Sequence, residues 1–416
     1  VARGLAIPGT PLKRLEKSDG ETMEPPLSDD SFFKEEPTNP AQGRFRSDDL
    51  TRPQIDRIET ILAEELKAYM QSLCNAAPDL NSMVERYVAG LFQKIGDRIR
   101  LQDLSREGNF ETAVRDAIVE GGEELYFTAG RDVLGPLVTR FVEHILTDAP
   151  RGATIAFLAR DAELYFEAAK ILAERPDILD RDLKLRYVTL NRQHFKIQDE
   201  NLNREQPTES DHEQERLREL YMKQQMFDNP NGVVIVDTGC WGTMIEKLWN
   251  AMAEKGRDVL NLTHVYFMYS YNPAIYGYVN HIAQKNEQRY LASQGVFIGD
   301  TFECLPKPEE SSTGFSMGDD GVVEPVRRPI TSHYLSSWNE AVLRGIRASS
   351  RRLVASPSNF PTAEEALKLI EQNRVAAGEE FTGVLPQATP KWTKGDEYLR
   401  NWKLAPISPQ QQPDAK

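Results

Sequence analysis

Residues 233–244 read VVIVDTGCWGTM, and the helical run EKLWNAMAEK follows at once. Four apolar β-formers ending in Asp-Thr-Gly predict a buried strand over 233–236 that opens into a polar loop, after which Gly-Thr starts a helix. In an open α/β sheet, ligands bind in the crevice beyond the carboxyl ends of the strands, and amides at a helix start attract anions. This stretch therefore predicts both the fold and the first place to look for chemistry.

Working outward, short apolar runs alternate with helical patterns, as in a parallel sheet. Residues 154–158 read as strand one with a helix over 162–174, and 185–190 as strand two, ending at Asn191-Arg192. A polar segment, 198–215, is expected to be a mobile flap and leads into a helix near 217–226. Strand four is expected over 263–269, so four strands present polar termini on one edge.

Before this sheet, Ile55, Ile58, Ile61, Leu62 and Leu66 form a helical stripe, as do Val84, Val88, Leu91, Phe92 and Ile95. Further helices are expected over 110–125 and 131–146. After it come GVFIGDTFECLPKP (295–308), the turn-rich TGFSMGDDGVVEPVRR (313–328), and a helix with Pro361 before it, Thr362 as N-cap and Glu364 and Glu365 in its first turn. The expected organisation is a disordered tail over 1–50, a helical region over 51–149, an α/β ligand-binding domain over 150–330, C-terminal helices over 331–404 and a disordered tail over 405–416.

Composition removes several function classes. A 416-residue chain with 40% apolar residues can bury a substantial core. Its 50 basic and 64 acidic residues leave a formal charge of -14, which argues against broad contact with nucleic-acid phosphates or anionic lipid. Cys74, Cys240 and Cys304 are odd in number and far apart, without zinc-ligand spacing, so a reducing, cytoplasmic setting is expected. No run of about 18 apolar residues is present to span a bilayer, and no signal-peptide core is read near residue 1.

The strand ends carry the candidate chemistry. Arg160, after strand one, suits bidentate recognition of phosphate or carboxylate, whereas Asp161 fits either a plain N-cap or a site carboxylate. Asn191 and Arg192 fit the same site or simple neutralisation of nearby acids. After strand three, Gly239 and Gly242 permit close backbone approach, Thr238 and Thr243 offer hydroxyls, and Asp237 suits ribose hydroxyls or Mg2+. Trp241 fits stacking on a base or sugar as well as a packing plug. Cys240 has no nearby histidine to activate it as a nucleophile. Gly318-Asp319-Asp320-Gly321 reads as a surface turn.

Asp-Thr-Gly after an apolar strand also looks like the signature of retroviral-type aspartic proteases, but those are all-β, and here a helix follows. The loop looks like the first phosphate motif of sugar kinases and actin-like ATPases as well, without a second Asp-x-Gly strand. It is more similar to the ribose-phosphate loop of type I phosphoribosyltransferases, although the family's acid pair is reduced here to Asp237 followed by Thr238. A broader resemblance runs over 134–366, through LGPLVTRF, IAFLARDAELYF, LRYVTLNR, VVIVDTGCWGT, FECLPKPEESSTGF and FPTAEEA. These strings resemble a bacterial module that follows haloacid-dehalogenase-like hydrolase domains in proteins linked to surface-polysaccharide genes. The resemblance places Glu303, with Arg160, Asp161, Asn191, Arg192, Asp237, Gly239, Gly242 and Thr243, on the module's recurring polar positions. Ala162 stands where the module carries glycine, and the Asp-x-Asp-x-Thr nucleophile of the hydrolase half is lacking.

The expectation is an α/β fold with a mainly parallel sheet, phosphoribosyltransferase-like and Rossmann-like, flanked by an N-terminal helical region and C-terminal helices. It is expected to bind a phosphorylated sugar, nucleotide or nucleotide-sugar, with Asp237 and Asp161 as catalytic carboxylates and Mg2+ ligands. Glycosyl or phosphoribosyl transfer is one reading, a catalytically silent sensing or scaffold module the second, and Mg2+-dependent phosphate-ester hydrolysis the third.

Overall fold

The apolar runs become a single parallel sheet. In the computed structural model, β1 (Thr154–Leu158), β2 (Lys184–Val188), β3 (Val233–Cys240) and β4 (Leu262–Ser270) lie in the order β2-β1-β3-β4. The structure describes residues 51–54, 56–58, 60–61, 64–65, 110–159, 162–195, 208–240, 244–245, 247–248, 251, 262–270, 277–279, 282, 305–306, 312–327 and 333–372. The expected tails, the stripe from Val84 to Ile95 and positions 198–207 of the expected flap lie outside them.

The helices are α1 (Phe110–Thr128), α2 (Gly135–Asp148), α3 (Glu163–Leu172), the short α4 (Pro176–Leu179), α5 (Glu209–Met222), α6 (His333–Ala355) and α7 (Ala363–Gln372). Ile155, Phe157, Val234 and Val236 enter one core with α1, α2, α3 and α6, while Ala156, Leu158, Val233 and Ile235 enter a second core with α5. Both strands are covered on both faces, which is why they read as continuous apolar runs rather than as alternation. A hairpin, β5 (Gly314–Met317) and β6 (Val323–Val326), completes the second layer through Phe315 and Val323.

The expected helices over 110–125 and 131–146 are joined. A π-helical stretch, Ala129–Leu134, carries α1 straight into α2. Pro136 lies in the first turn of α2. A proline has no N–H for the preceding turn and its ring crowds the carbonyl there, so the wider π register accommodates it without breaking the helix. α6 packs against α1, α2, α3 and the π-helical stretch, so N-terminal and C-terminal helices share the first core.

Two local expectations need correction. The loop expected from Asp237 is strand: β3 runs on to Cys240, with Asp237, Gly239 and Cys240 in register with Phe267, Tyr269 and Ser270. The second half of the expected flap is helix, because α5 starts at Glu209. Its N-cap Thr208 accepts from Asp211 N–H at 3.2 Å while the Asp211 carboxylate accepts from Thr208 N–H at 2.9 Å. The expected surface turn from Gly318 to Gly321 is present, with Gly321 at φ +76°, and it joins the two strands of a hairpin within 313–328. The expected cap of α7 is present: Glu365 N–H donates to Thr362 Oγ1 at 3.2 Å. Among the described residues no helix is long and apolar enough to cross a membrane.

Candidate functional site

The order β2-β1-β3-β4 fixes where a crevice forms. The chain leaves β1 toward β2 through α3 on one face, then returns from β2 past β1 to β3 through α5 on the other. Connections thus diverge between β1 and β3, and such a topological switch point is where ligands enter open α/β sheets.

Asp237 stands at this point. It is half-buried near the carboxyl end of β3, and its Oδ1 accepts from the Thr238 N–H at 2.8 Å. That bond takes one of the amides expected to cradle an anion. Thr238 is buried, and its hydroxyl lies 3.2 Å from the Tyr165 hydroxyl of α3. Because residues alternate along a strand, Thr238 turns into the first core and Asp237 toward the opposite face. Tyr165 therefore ties the helix after β1 to the end of β3, bracing the two strands that bound the crevice.

Backbone at the end of β1 is equally tight: Ala159 N–H donates to Val188 O at 2.9 Å and Ala162 N–H to Leu158 O at 3.2 Å. Arg160, Asp161, Trp241, Gly242, Thr243 and Glu303 lie outside the described residues, as does the side chain of Arg192. Beyond them the expected helix is present, with Met244, Ile245, Lys247, Leu248 and Ala251 helical and Leu248 and Ala251 buried.

Asn191 follows β2, separated from β3 by β1, so at about 4.8 Å per strand spacing it stands roughly 10 Å from Asp237's strand. Its side chain turns to the hairpin: Nδ2 donates to Ser312 O at 2.8 Å. Around it lies a buried polar cluster that has no signature in the sequence. Asn191 N–H donates to His194 Nδ1 at 3.3 Å, and His194 Nε2 lies 3.1 Å from Ser312 Oγ. Since Nδ1 accepts, Nε2 holds the proton and donates to the serine, whose hydroxyl donates onward to Gly314 O at 3.1 Å. A base that activates a nucleophile must accept its proton, so this His–Ser pair is a fastening and not a nucleophilic dyad.

Burial lowers the His194 pKa to about 4, and Arg218 adds to the effect. Arg218 is itself buried, with its guanidinium 4.8 Å from the Phe195 ring centroid and Nη1 donating to His194 O at 2.9 Å. The interacting residues are more than 20 positions apart, at 194 and 218, or more than 100 apart, at 194 and 312, which is why no local motif reports them.

Among the described residues no group of three or more His, Cys, Asp or Glu is placed to hold a metal ion. A Mg2+ site here would use Asp237 with ligand phosphates, the mode in which Mg2+ keeps most of its own waters. No protein-family model and no curated protein matches this chain.

Proposed function

We propose that the chain binds a phosphorylated sugar or nucleotide-like ligand at the carboxyl ends of β1 and β3. One observation carries this reading: the half-buried Asp237 stands at the switch point of a four-stranded parallel sheet. In the proposed site Asp237 engages ribose hydroxyls or Mg2+, with Asp161 as second carboxylate. Arg160 and Arg192 engage phosphate, and the run from Gly239 to Thr243 gives backbone amides. The sequence resemblance and the parallel sheet support a phosphoribosyltransferase-like fold and kinship with the polysaccharide-linked module.

The reaction class that suits these residues is glycosyl or phosphoribosyl transfer. A nucleophile bonds to the anomeric carbon as its C–O bond to phosphate or pyrophosphate breaks, and the leaving group keeps the electron pair. Cations and amides stabilise that developing charge. A second reading, ligand sensing without turnover, is favoured by Thr238: its hydroxyl serves Tyr165 and its amide serves Asp237.

A thermal-shift panel of phosphoribosyl diphosphate, nucleotides and sugar nucleotides, with and without Mg2+, tests the reading. A ligand present at 100 times its Kd stabilises by about 2.7 kcal/mol, which is roughly 5–10 °C for a domain of this class. Asp237→Asn is expected to remove more than half of that shift. An unchanged shift in the variant overturns the role of Asp237.

A further inference from the structure

We propose that Asp237 determines specificity at the strand-end site: its carboxylate holds the Thr238 amide, a seat for a ligand anion, and gives it up to phosphates that carry hydroxyls but not to lone phosphates. This rests on the ligand-binding reading above and deepens it from a ligand class to a rule of selection.

The seat is a rung missing from a ladder. β1 and β3 pair in parallel from Thr154↔Val233 to Phe157↔Val236, beginning with Thr154 N–H donating to Gly232 O at 3.0 Å. A residue of a parallel ladder bonds to both neighbours of the residue opposite it. Thr154, Ala156 and Leu158 therefore turn their backbone groups to β3, while Val234, Val236 and Thr238 turn theirs to β1. The next rung would run from Thr238 N–H to Leu158 O. Pairing stops short of it, and Leu158 O accepts instead from Ala162 N–H at 3.2 Å, where the chain turns into α3. The strands part there, and Thr238 N–H points into the gap between them.

A backbone donor at such a gap calls for an acceptor, and an anion is the strongest one. The protein supplies its own, since Asp237 Oδ1 accepts from that N–H at 2.8 Å. The amide is fixed from both sides. Thr238 is buried with its hydroxyl 3.2 Å from that of Tyr165, and β3 stays paired with β4 through Asp237↔Phe267 and Gly239↔Tyr269. The carboxylate, in contrast, is the end of a rotatable side chain, so a ligand can displace it without moving the strand.

That arrangement sorts anions. A lone phosphate or pyrophosphate must evict a group of its own sign and offers it nothing in return. A sugar bearing phosphate evicts it too, but its hydroxyls donate to the displaced carboxylate and replace the bond lost at the amide. Discrimination then comes from a repulsive element as well as an attractive one.

The test is calorimetric titration of the full chain with phosphoribosyl diphosphate and with inorganic pyrophosphate, without Mg2+, so that the carboxylate acts on the ligand directly. Wild type is compared with three variants. Asp237→Ala empties the seat, Asp237→Asn keeps an acceptor for the amide without the charge, and Asp180→Ala removes an exposed acid before β2, at the opposite edge of the sheet. Asp237→Ala is expected to bind pyrophosphate about tenfold more tightly than wild type and phosphoribosyl diphosphate less tightly. Asp237→Asn is expected to move both affinities the same way by less, and Asp180→Ala to match wild type. Pyrophosphate binding no tighter in Asp237→Ala, or a rise for both ligands alike, overturns the assignment while leaving the strand-end site intact. Equal tightening in Asp180→Ala overturns it as a general charge effect. Absence of phosphoribosyl diphosphate binding by wild type overturns the site and the rule together.

Discussion

Gly345→Ala is expected to destabilise the protein by about 2–3 kcal/mol, although alanine is the better helix former by about 1 kcal/mol. A Cβ at Gly345 would lie 2.4 Å from Phe127 O, 2.7 Å from Arg131 N and 2.9 Å from Gly130 C. All three are backbone atoms of the helix that passes from α1 into the π-helical stretch, so no side chain can swing aside. The facing glycine is equally constrained, since a Cβ at Gly130 would lie 2.5 Å from Val342 O. Gly122 and Gly135 extend the same contact, one against the ring of Trp338 and the other against Ser349. Trp338 is fully buried and donates from Nε1 to Val119 O at 3.0 Å, which fixes the depth at which α6 sits. Overpacking against backbone thus outweighs the propensity gain. Urea unfolding of Gly345→Ala beside the exposed control Ser336→Ala measures this. Wild-type stability or better in Gly345→Ala would contradict the close approach of α6.

Acidification from pH 7 to pH 4 is expected to remove about 3 kcal/mol of stability through His194 alone, since each pKa unit is worth about 1.4 kcal/mol. The folded pKa is about 4, against an ordinary value of 6.5. As pH falls below 6.5 the unfolded chain takes up the proton first, so stability declines from there and the contribution is exhausted once pH passes below the folded value. Protonation adds a proton at Nδ1, the atom that accepts from Asn191 N–H, and places a second cation beside Arg218. Glu215 is the carboxylate that faces Arg218, at 3.6 Å. Carboxylates such as Asp177, held below the usual range by the hydrogen bond from Arg175, titrate lower and leave the upper window to histidine. In His194→Gln the slope of melting temperature against pH between 6.5 and 4.5 is expected to flatten, whatever the stability at pH 7. An unchanged slope would remove His194 as its source.

The two central strands were legible because they are apolar on both faces. The runs at 154–158 and 233–236 needed nothing else, and β1 has those bounds in the structure. The carboxyl half of β3 was hidden, because Asp237-Thr238-Gly239 has loop composition. Pairing with β4 and burial of Thr238 against Tyr165 override that composition. The start of α5 was obscured by ESDHEQER, whose polarity suits a flap; the Thr208–Asp211 capping pair was the available signal. The hairpin was missed because four-residue strands containing glycine and proline leave too few apolar positions to show a period. The position of Asp237 near the carboxyl end of β3 was legible from the apolar run before it. The His194–Ser312 fastening is set by tertiary placement, since residues 194 and 312 meet only when the hairpin docks.

The proposed ligand site lies at the carboxyl ends of β1 and β3. Hydrogen–deuterium exchange with and without phosphoribosyl diphosphate and Mg2+ tests it most directly, because it reports position along the chain. Slowed exchange is expected in peptides covering 159–162 and 237–243, with no change in the loop before β3 at Asn229 to Gly232, which lies at the opposite edge of the sheet. Protection confined to that opposite edge, or no protection at the β1 and β3 ends, would contradict it.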